Sequence, residues 1–189
     1  MQKFPDTQEY LEPEDVPSTS RYHSDLSARD AFADDVVLRV TVSPSFSAVC
    51  VIGMRDATMS GSTGHSVFYL RNRFPEVDES LPLADCTKPI DAATAQLLSA
   101  AWIWMLRDAR HPQCPRIGLD GTTYQFYADT PEGALAGQTW SPEPDSNSGR
   151  LVELAEAVAH YCNGKLDEAD LQRRSTELCG RLGRGACRN

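Results

Sequence analysis

Four histidines and six cysteines are the residue types in this 189-residue chain that most often bind metals or act as nucleophiles. His111 with Cys114, and His160 with Cys162, have the composition of two halves of a zinc site. His160 and Cys162 lie in a helical pattern, where side chains two residues apart point about 200° away from each other. Cys114 is followed by Pro115, which restricts its backbone. We therefore expect no metal site and no cofactor.

Nucleophilic catalysis and phosphate binding also lack a complete set of residues. The loop Gly61–His65 contains glycines but no lysine to reach a phosphate, which favours a hairpin loop. A cysteine nucleophile needs a nearby base, and the sequence marks none beside Cys86 or Cys114. Asp120 and Asp129 are a carboxylate pair that could face one site, although any acidic chain offers such pairs. The sequence thus identifies no catalytic residue.

The charge of the chain is concentrated at its two ends. Residues 1–35 hold nine acidic and three basic residues, a net charge of −6, whereas the whole chain carries −9. From Arg173 onward, five arginines stand against one glutamate. An acidic chain is a poor match for nucleic acid, because phosphate contacts need a positive surface. Either both ends are simply solvated, or the acidic arm binds a basic protein. The residues predicted for that contact are Glu9, Glu12, Glu14 and Asp15.

Neither a membrane span nor a leader sequence is predicted. No stretch approaches the roughly 18 apolar residues that a membrane helix needs, and the first residues contain no apolar core of a signal peptide. We expect a cytoplasmic protein, or a periplasmic one if a signal peptide has been removed. Flexible flanks would allow two disulfides, Cys86 with Cys114 and Cys179 with Cys187, and free thiols are the alternative.

Alternating β-branched and aromatic residues predict strands, and apolar residues at helical spacing predict helices. The predicted strands cover residues 36–42, 48–54, 66–70, 122–127 and 135–140. The clearest helix runs from Ala92 to Arg107 behind the N-cap Asp91. Two further helices begin at Leu151 and after Asp167. Short links between the first three strands indicate an antiparallel meander.

These elements predict one α+β domain, an antiparallel sheet of about five strands with three helices packed on one face. The domain is assigned to residues 36–182. Residues 1–35 are expected to form an acidic N-terminal arm that is partly disordered, and residues 183–189 a flexible basic tail.

Three short motifs stand near the predicted turns: Pro44-Ser45-Phe46, Leu119-Asp120-Gly121-Thr122 with Tyr124, and Trp140-Ser141-Pro142. Together they resemble the Pro-Ser-Phe, Leu-Asp-Gly-Thr-x-Tyr and Trp-Ser-Pro motifs of a group of small uncharacterised bacterial proteins to which no reaction is assigned. The resemblance covers residues 36–165 and implies an architecture rather than an activity. From their spacing, Tyr124 and Trp140 are expected to meet on neighbouring antiparallel strands.

Small size, acidic charge and the lack of a catalytic motif favour a protein that works by binding another protein. The most specific expectation is a bacterial immunity protein that neutralises a basic toxin, because complementary charge accelerates association. The loop Thr58–Gly64 is a second predicted contact region, with Ser62 and His65 as its candidate residues. The alternatives are an enzyme with an unrecognised site, and an accessory protein of the cell envelope or a secretion system, which would carry disulfides.

Overall fold

The computed structural model describes residues 9–14, 31–57, 64–71, 85–111 and 120–183. Its strands are Glu12–Pro13 (β1), Val36–Pro44 (β2), Cys50–Asp56 (β3), His65–Arg71 (β4), Asp85–Ile90 (β5), Thr122–Ala128 (β6) and Leu135–Trp140 (β7). Its helices are Ala92–Arg107 (α1), Asn147–Cys162 (α2) and Glu168–Leu182 (α3). The strands form one antiparallel sheet in the order β1-β7-β6-β2-β3-β4-β5. The chain is therefore α+β, as predicted.

The sheet has seven strands, and the expectation of about five was too low. The two that sequence patterns missed, β1 and β5, lie at the two edges and both contain proline. Proline ends most strands because it has no backbone N–H to donate to the hydrogen-bond ladder. In an edge strand, proline is tolerated where its nitrogen faces away from the neighbouring strand, because no hydrogen bond is then lost. Pro89 in β5 and Pro13 in β1 are therefore compatible with strands that a pattern search rejects.

Strand alternation decides which side chains enter the core between sheet and helices. Leu38 and Val40 of β2 are buried there, and Val40 lies opposite both Ile52 of β3 and Phe126 of β6. Such cross-strand rows of apolar side chains are the unit of sheet stability. In α1, Trp102 is buried and its ring meets Phe126 edge-on at 5.2 Å between centroids. Helix α1 thus packs on β6 and β7, to one side of the central strand β2.

The opposite face of the sheet carries a smaller apolar cluster made by Ala31, Val36, Val51, Phe68 and Leu70. On this face the guanidinium of Arg39 lies between two rings, 4.3 Å from the centroid of Phe32 and 3.9 Å from that of Tyr127. Stacking on both sides explains how a charged residue that is 7% exposed is tolerated inside a sheet.

Helix boundaries follow from capping side chains. The carboxylate of Asp91 accepts from the backbone N–H of Thr94 at the start of α1. Ser146 accepts from Gly149, so α2 begins at Asn147, four residues earlier than the apolar stripe from Leu151 indicated. In α3, Asp167 and Asp170 form a capping box. Each cap satisfies a backbone donor that the helix itself leaves free.

A disulfide joins Cys86 of β5 to Cys162, the last residue of α2. The expected pair of Cys86 with Cys114 is therefore wrong. Sequence could not indicate the real pair, because the two cysteines are 76 residues apart and meet only when α2 packs beside the sheet edge. Cys179 is also disulfide-bonded, whereas Cys50 is a free thiol. Cys114 and Cys187 lie outside the described residues.

No helix within the described ranges has the length and apolar character that crossing a membrane requires.

Candidate functional site

A cavity of about 560 Å³ opens at one end of the sheet, where β3 and β6 end and β4 begins, under the first half of α1. We call it the acidic pocket. Its floor is apolar and its rim is polar. The floor is made by Val37, Met54, Ala95 and Ala100, and the rim by Asp56, His65, Gln96, Ser99, Asp129 and Thr130. A concave apolar site with a few convergent polar groups is the usual form of a binding site.

The strand register brings Asp56 and His65 together. Asp56 ends β3 and His65 begins β4, and the two residues pair across the antiparallel ladder. His65 Nδ1 lies 3.8 Å from Asp56 Oδ1, and both side chains are about three-quarters buried, at 24% and 26% exposure. His65 Nδ1 is itself buried and has no hydrogen-bond partner among the described residues. A buried polar atom without a partner is uncommon, and it favours a role in binding.

Asp129 supplies the second carboxylate of the pocket. It directly follows β6, and its backbone N–H donates to Val37 O at 2.8 Å. The turn behind it is closed by Thr130 Oγ1, which donates to Gly133 O at 2.7 Å. Among the described residues that line the cavity, none is an arginine or a lysine. The rim carries the carboxylates of Asp56 and Asp129, which are groups that can bind a cation.

Ser99, His65 and Asp56 line the same cavity, which is the composition of a hydrolytic triad. A triad needs the serine hydroxyl within hydrogen-bond reach of the imidazole, about 2.6–3.2 Å between heavy atoms. Among the hydrogen bonds of the described residues, none joins Ser99 to His65. The described residues also contain no group of three or more His, Cys, Asp or Glu placed to hold a metal ion. The described residues therefore do not form the hydrogen-bonded triad that nucleophilic catalysis by Ser99 would need.

Two of the acidic residues predicted for partner contact, Glu9 and Glu14, use their carboxylates in hydrogen bonds within the fold, and Glu12 takes part through its backbone. Glu9 Oε2 accepts from the backbone N–H of Asn147 at 3.3 Å, at the start of α2. Glu12 pairs with Gln138 in the β1–β7 ladder. Glu14 Oε1 accepts from Gln125 Nε2 at 2.6 Å. This stretch of the arm packs against the sheet and α2.

Of the other predicted contact residues, His65 lies on the rim of the acidic pocket. Asp15 and Ser62 lie outside the described residues. Asp120 and Asp129, considered as a pair facing one site, are at opposite ends of β6 and do not share a site.

The three motifs meet at the other end of the sheet, which we call the motif end. Ser45 Oγ accepts from the Gly121 N–H at 3.0 Å and donates to Gly121 O at 2.9 Å. Ser141 Oγ accepts from the Thr122 N–H at 2.9 Å. A Cβ on Gly121 would lie 2.5 Å from the Trp140 ring, so only glycine fits there. These motif residues bind one another and leave Phe46 exposed at the turn, at 78%.

The expectation that Tyr124 meets Trp140 is wrong by one residue in register. Trp140 pairs with Thr123, and Tyr124 pairs with Thr139. Paired residues share a face of the sheet, so Tyr124 and Trp140 point to opposite faces. Tyr124 packs against the main core, where burial, with a contribution from the Glu156 carboxylate, raises its pKa to about 12.

The one free thiol among the described residues lies in this neighbourhood as well. Burial raises the pKa of Cys50 to about 11, and Arg71 opposes the shift while Glu156 adds to it. A thiol with a raised pKa is protonated at neutral pH and is a poor nucleophile. Cys50 is therefore not a reactive cysteine.

Comparison with known proteins identifies no relative: no family model, curated protein or solved structure matches this chain. The site must be interpreted from its own residues. Sequence reasoning named His65 but missed Asp56 and Asp129 as a pair. The usable signal was that each of these aspartates stands at the C-terminal end of a strand. Because β3 and β6 both run antiparallel to β2, they run in the same direction and finish at the same end of the sheet.

Proposed function

We propose that this chain is a non-catalytic protein-binding protein whose acidic pocket receives an arginine or lysine side chain of a basic partner. The observation that carries the proposal is the pocket itself. Two carboxylates, Asp56 and Asp129, border a cavity of about 560 Å³ whose described lining contains no arginine or lysine. A guanidinium or ammonium group inserted there would form charge-assisted hydrogen bonds in a partly desolvated setting.

The mixed lining of the pocket suits an inserted side chain that has an apolar stem and a charged head. The aliphatic stem of an arginine or lysine would lie on Val37, Met54 and Ala95, while its charged head reaches the rim. Anchors of this type, seated in a pocket, dominate the binding energy of many protein interfaces. The net charge of −9 adds long-range attraction to any basic partner.

The specific form of this function is toxin neutralisation by an immunity protein. Its supports are the acidic charge of a small chain and a pocket that two carboxylates border. An inhibitor of a basic toxin gains association rate from such complementarity, and a filled pocket slows dissociation.

An accessory protein of the cell envelope or a secretion system is the second candidate, and the disulfides favour it. Cys86 is bonded to Cys162, and Cys179 is disulfide-bonded too. Disulfides persist mainly in oxidising compartments such as the periplasm. This observation also fits an immunity protein that acts outside the cytoplasm, so the compartment alone does not separate the two candidates.

The test compares partner capture by matched charge variants. Asp129→Asn removes one carboxylate from the pocket, and Asp120→Asn removes one at the opposite end of the same strand. Each immobilised protein is incubated with lysate of the encoding organism, and a partner retained by the wild type is purified for calorimetry. We expect a basic partner whose affinity falls at least about tenfold in Asp129→Asn, equivalent to about 1.4 kcal/mol.

The control variant Asp120→Asn should change this affinity less than twofold. Equal loss in both variants would reduce the proposal to non-specific charge attraction, and an acidic partner would contradict it. Growth rescue by the chain from the purified partner's toxicity then separates the immunity protein from the accessory protein.

A further inference from the structure

A second cavity, of about 400 Å³, lies between α2 and α3 and has the opposite chemistry. Three arginines line it, Arg150 from α2 and Arg174 and Arg181 from α3, above a floor of Leu154 and Leu178. We infer that this arginine groove binds a small oxyanion, a phosphate or a carboxylate. The inference is independent of the acidic pocket, which is built by other elements.

Two of the arginines are held in place before any ligand arrives. One Arg150 Nη lies 2.9 Å from Asp145 Oδ1, and one Arg181 Nη donates to the backbone oxygen of the same residue at 2.6 Å. Arg181 Nε also donates to Asn147 Oδ1 at 3.3 Å. The turn before α2 thus brings the two guanidinium groups to one wall of the groove. Side chains ordered in advance lose less conformational entropy when they bind.

Arg174 is the residue that requires an acceptor. Its Nε is buried and has no hydrogen-bond partner among the described residues. Within the same described ranges, the ion pairs of α3 are formed by its neighbour Arg173, with Asp170 and Glu177, and not by Arg174. A buried donor left unpaired is destabilising, because it has lost its hydrogen bonds to water without replacing them. An anion seated beside Arg174 would satisfy that donor.

The acidic residues of the groove set the size of the anion. Glu153 is paired with Arg150 at 2.8 Å, and Glu177 lies 3.4 Å from Arg173. Both carboxylates face the cavity and would repel a large polyanion. Space is open at Gly180, where an added Cβ would have no neighbour within 4 Å. A small anion therefore fits between Arg174 and Arg181, beside Gly180.

Guanidinium chemistry favours an oxyanion over a halide. The planar fork of an arginine matches the two oxygens of a carboxylate or a phosphate and binds them through two parallel hydrogen bonds. A chloride ion has no such pair of acceptors. Selectivity for oxyanions over chloride at equal ionic strength is thus the signature of the proposed site.

The test is a titration of the whole chain followed by NMR of the arginine Nε–Hε groups, with inorganic phosphate, acetate and chloride at matched ionic strength. We expect a saturable shift of the Arg174 signal with phosphate, acetate or both, and none with chloride. Saturation by phosphate alone assigns a phosphate ligand, and saturation by acetate alone assigns a carboxylate.

Adjacent arginines provide the matched variants. Arg174→Gln should weaken the binding at least tenfold, followed through the Arg181 signal, whereas Arg173→Gln should change it less than twofold. Shifts of equal size with all three salts would overturn the inference, because they would reflect ionic strength alone. Equal weakening of the binding by the two variants would also overturn it. Thermal denaturation of Arg174→Gln checks that the variant is folded.

Discussion

The two ends of the sheet use their polar residues in opposite ways. At the motif end, the hydroxyl groups of Ser45 and Ser141 form hydrogen bonds with the backbone of Gly121 and Thr122. At the other end, polar groups border a cavity, and His65 Nδ1 has no hydrogen-bond partner among the described residues. The most conspicuous sequence motifs are therefore structural, and the proposed binding site is made of residues that form no motif.

The two ends differ because close packing restricts which residues are possible at a position more strongly than a pocket does. Close packing of two turns requires particular residues, since a side chain one carbon larger than glycine has no room at position 121. A pocket needs only charge and space in the right place, which many residues at several positions can supply. Four predictions test this contrast, beginning with the substitution expected to be most destabilising.

Replacing Gly121 by alanine should be the most destabilising of the changes considered. The new Cβ would lie 2.5 Å from the Trp140 ring and 2.6 Å from Ser141 Oγ, so the two turns must separate. We expect a loss of about 1–3 kcal/mol in the free energy of unfolding, measured in urea with the disulfides intact. The control is Gly180→Ala in α3, where a Cβ meets nothing. That change should stabilise the chain by about 0.5–1 kcal/mol. Equal stability of the two variants would show that the motif end is not closely packed.

Ser45→Ala removes the reciprocal hydrogen bonds to Gly121 without adding bulk. These bonds are exposed to solvent, so we expect a loss of about 0.5–1 kcal/mol in the free energy of unfolding. Ser47→Ala in the same turn, also exposed, should have an effect below about 0.5 kcal/mol. If Ser47→Ala is as costly as Ser45→Ala, turn conformation rather than the contact to Gly121 explains the motif.

Stability should fall at alkaline pH because of Tyr124. Its pKa is raised from 10 to about 12 in the folded chain, so the unfolded state releases this proton at a lower pH than the folded state. The contribution of Tyr124 to the free energy of unfolding is fully present below pH 10 and is lost as the pH rises from 10 to about 12. Tyr124→Phe should flatten the decline of the melting temperature in this window. An unchanged slope in the variant would assign the decline to other groups.

Ser99→Leu at the acidic pocket should have the smallest effect on stability, below about 0.5 kcal/mol. The serine lines the cavity from α1, where leucine is a better helix former and has space to occupy. The same variant should abolish binding of the basic partner by filling the pocket. A loss of stability as large as that of Gly121→Ala would mean that the cavity is closed in solution, and the contrast between the two ends would disappear.

Local patterns were sufficient to predict the three helices and the five inner strands of this protein. The caps Asp91 and Asp167, the helix Ala92–Arg107 and the β-branched central strands are visible in sequence because periodicity and capping act over a few residues. The edge strands β1 and β5 were missed for the same reason, since their prolines are acceptable only at a sheet edge. An edge is a property of the assembled sheet and not of a segment.

The amino-acid sequence by itself determined the α+β class, the three helices and the acidic character of the chain. Tertiary structure decided the strand order, the bond between Cys86 and Cys162, and the meeting of Asp56, His65 and Asp129. Periodicity records which face of a segment is buried, but it does not record which segment lies beside it. Both cavities are formed by residues distant in sequence, so only the packed chain reveals them.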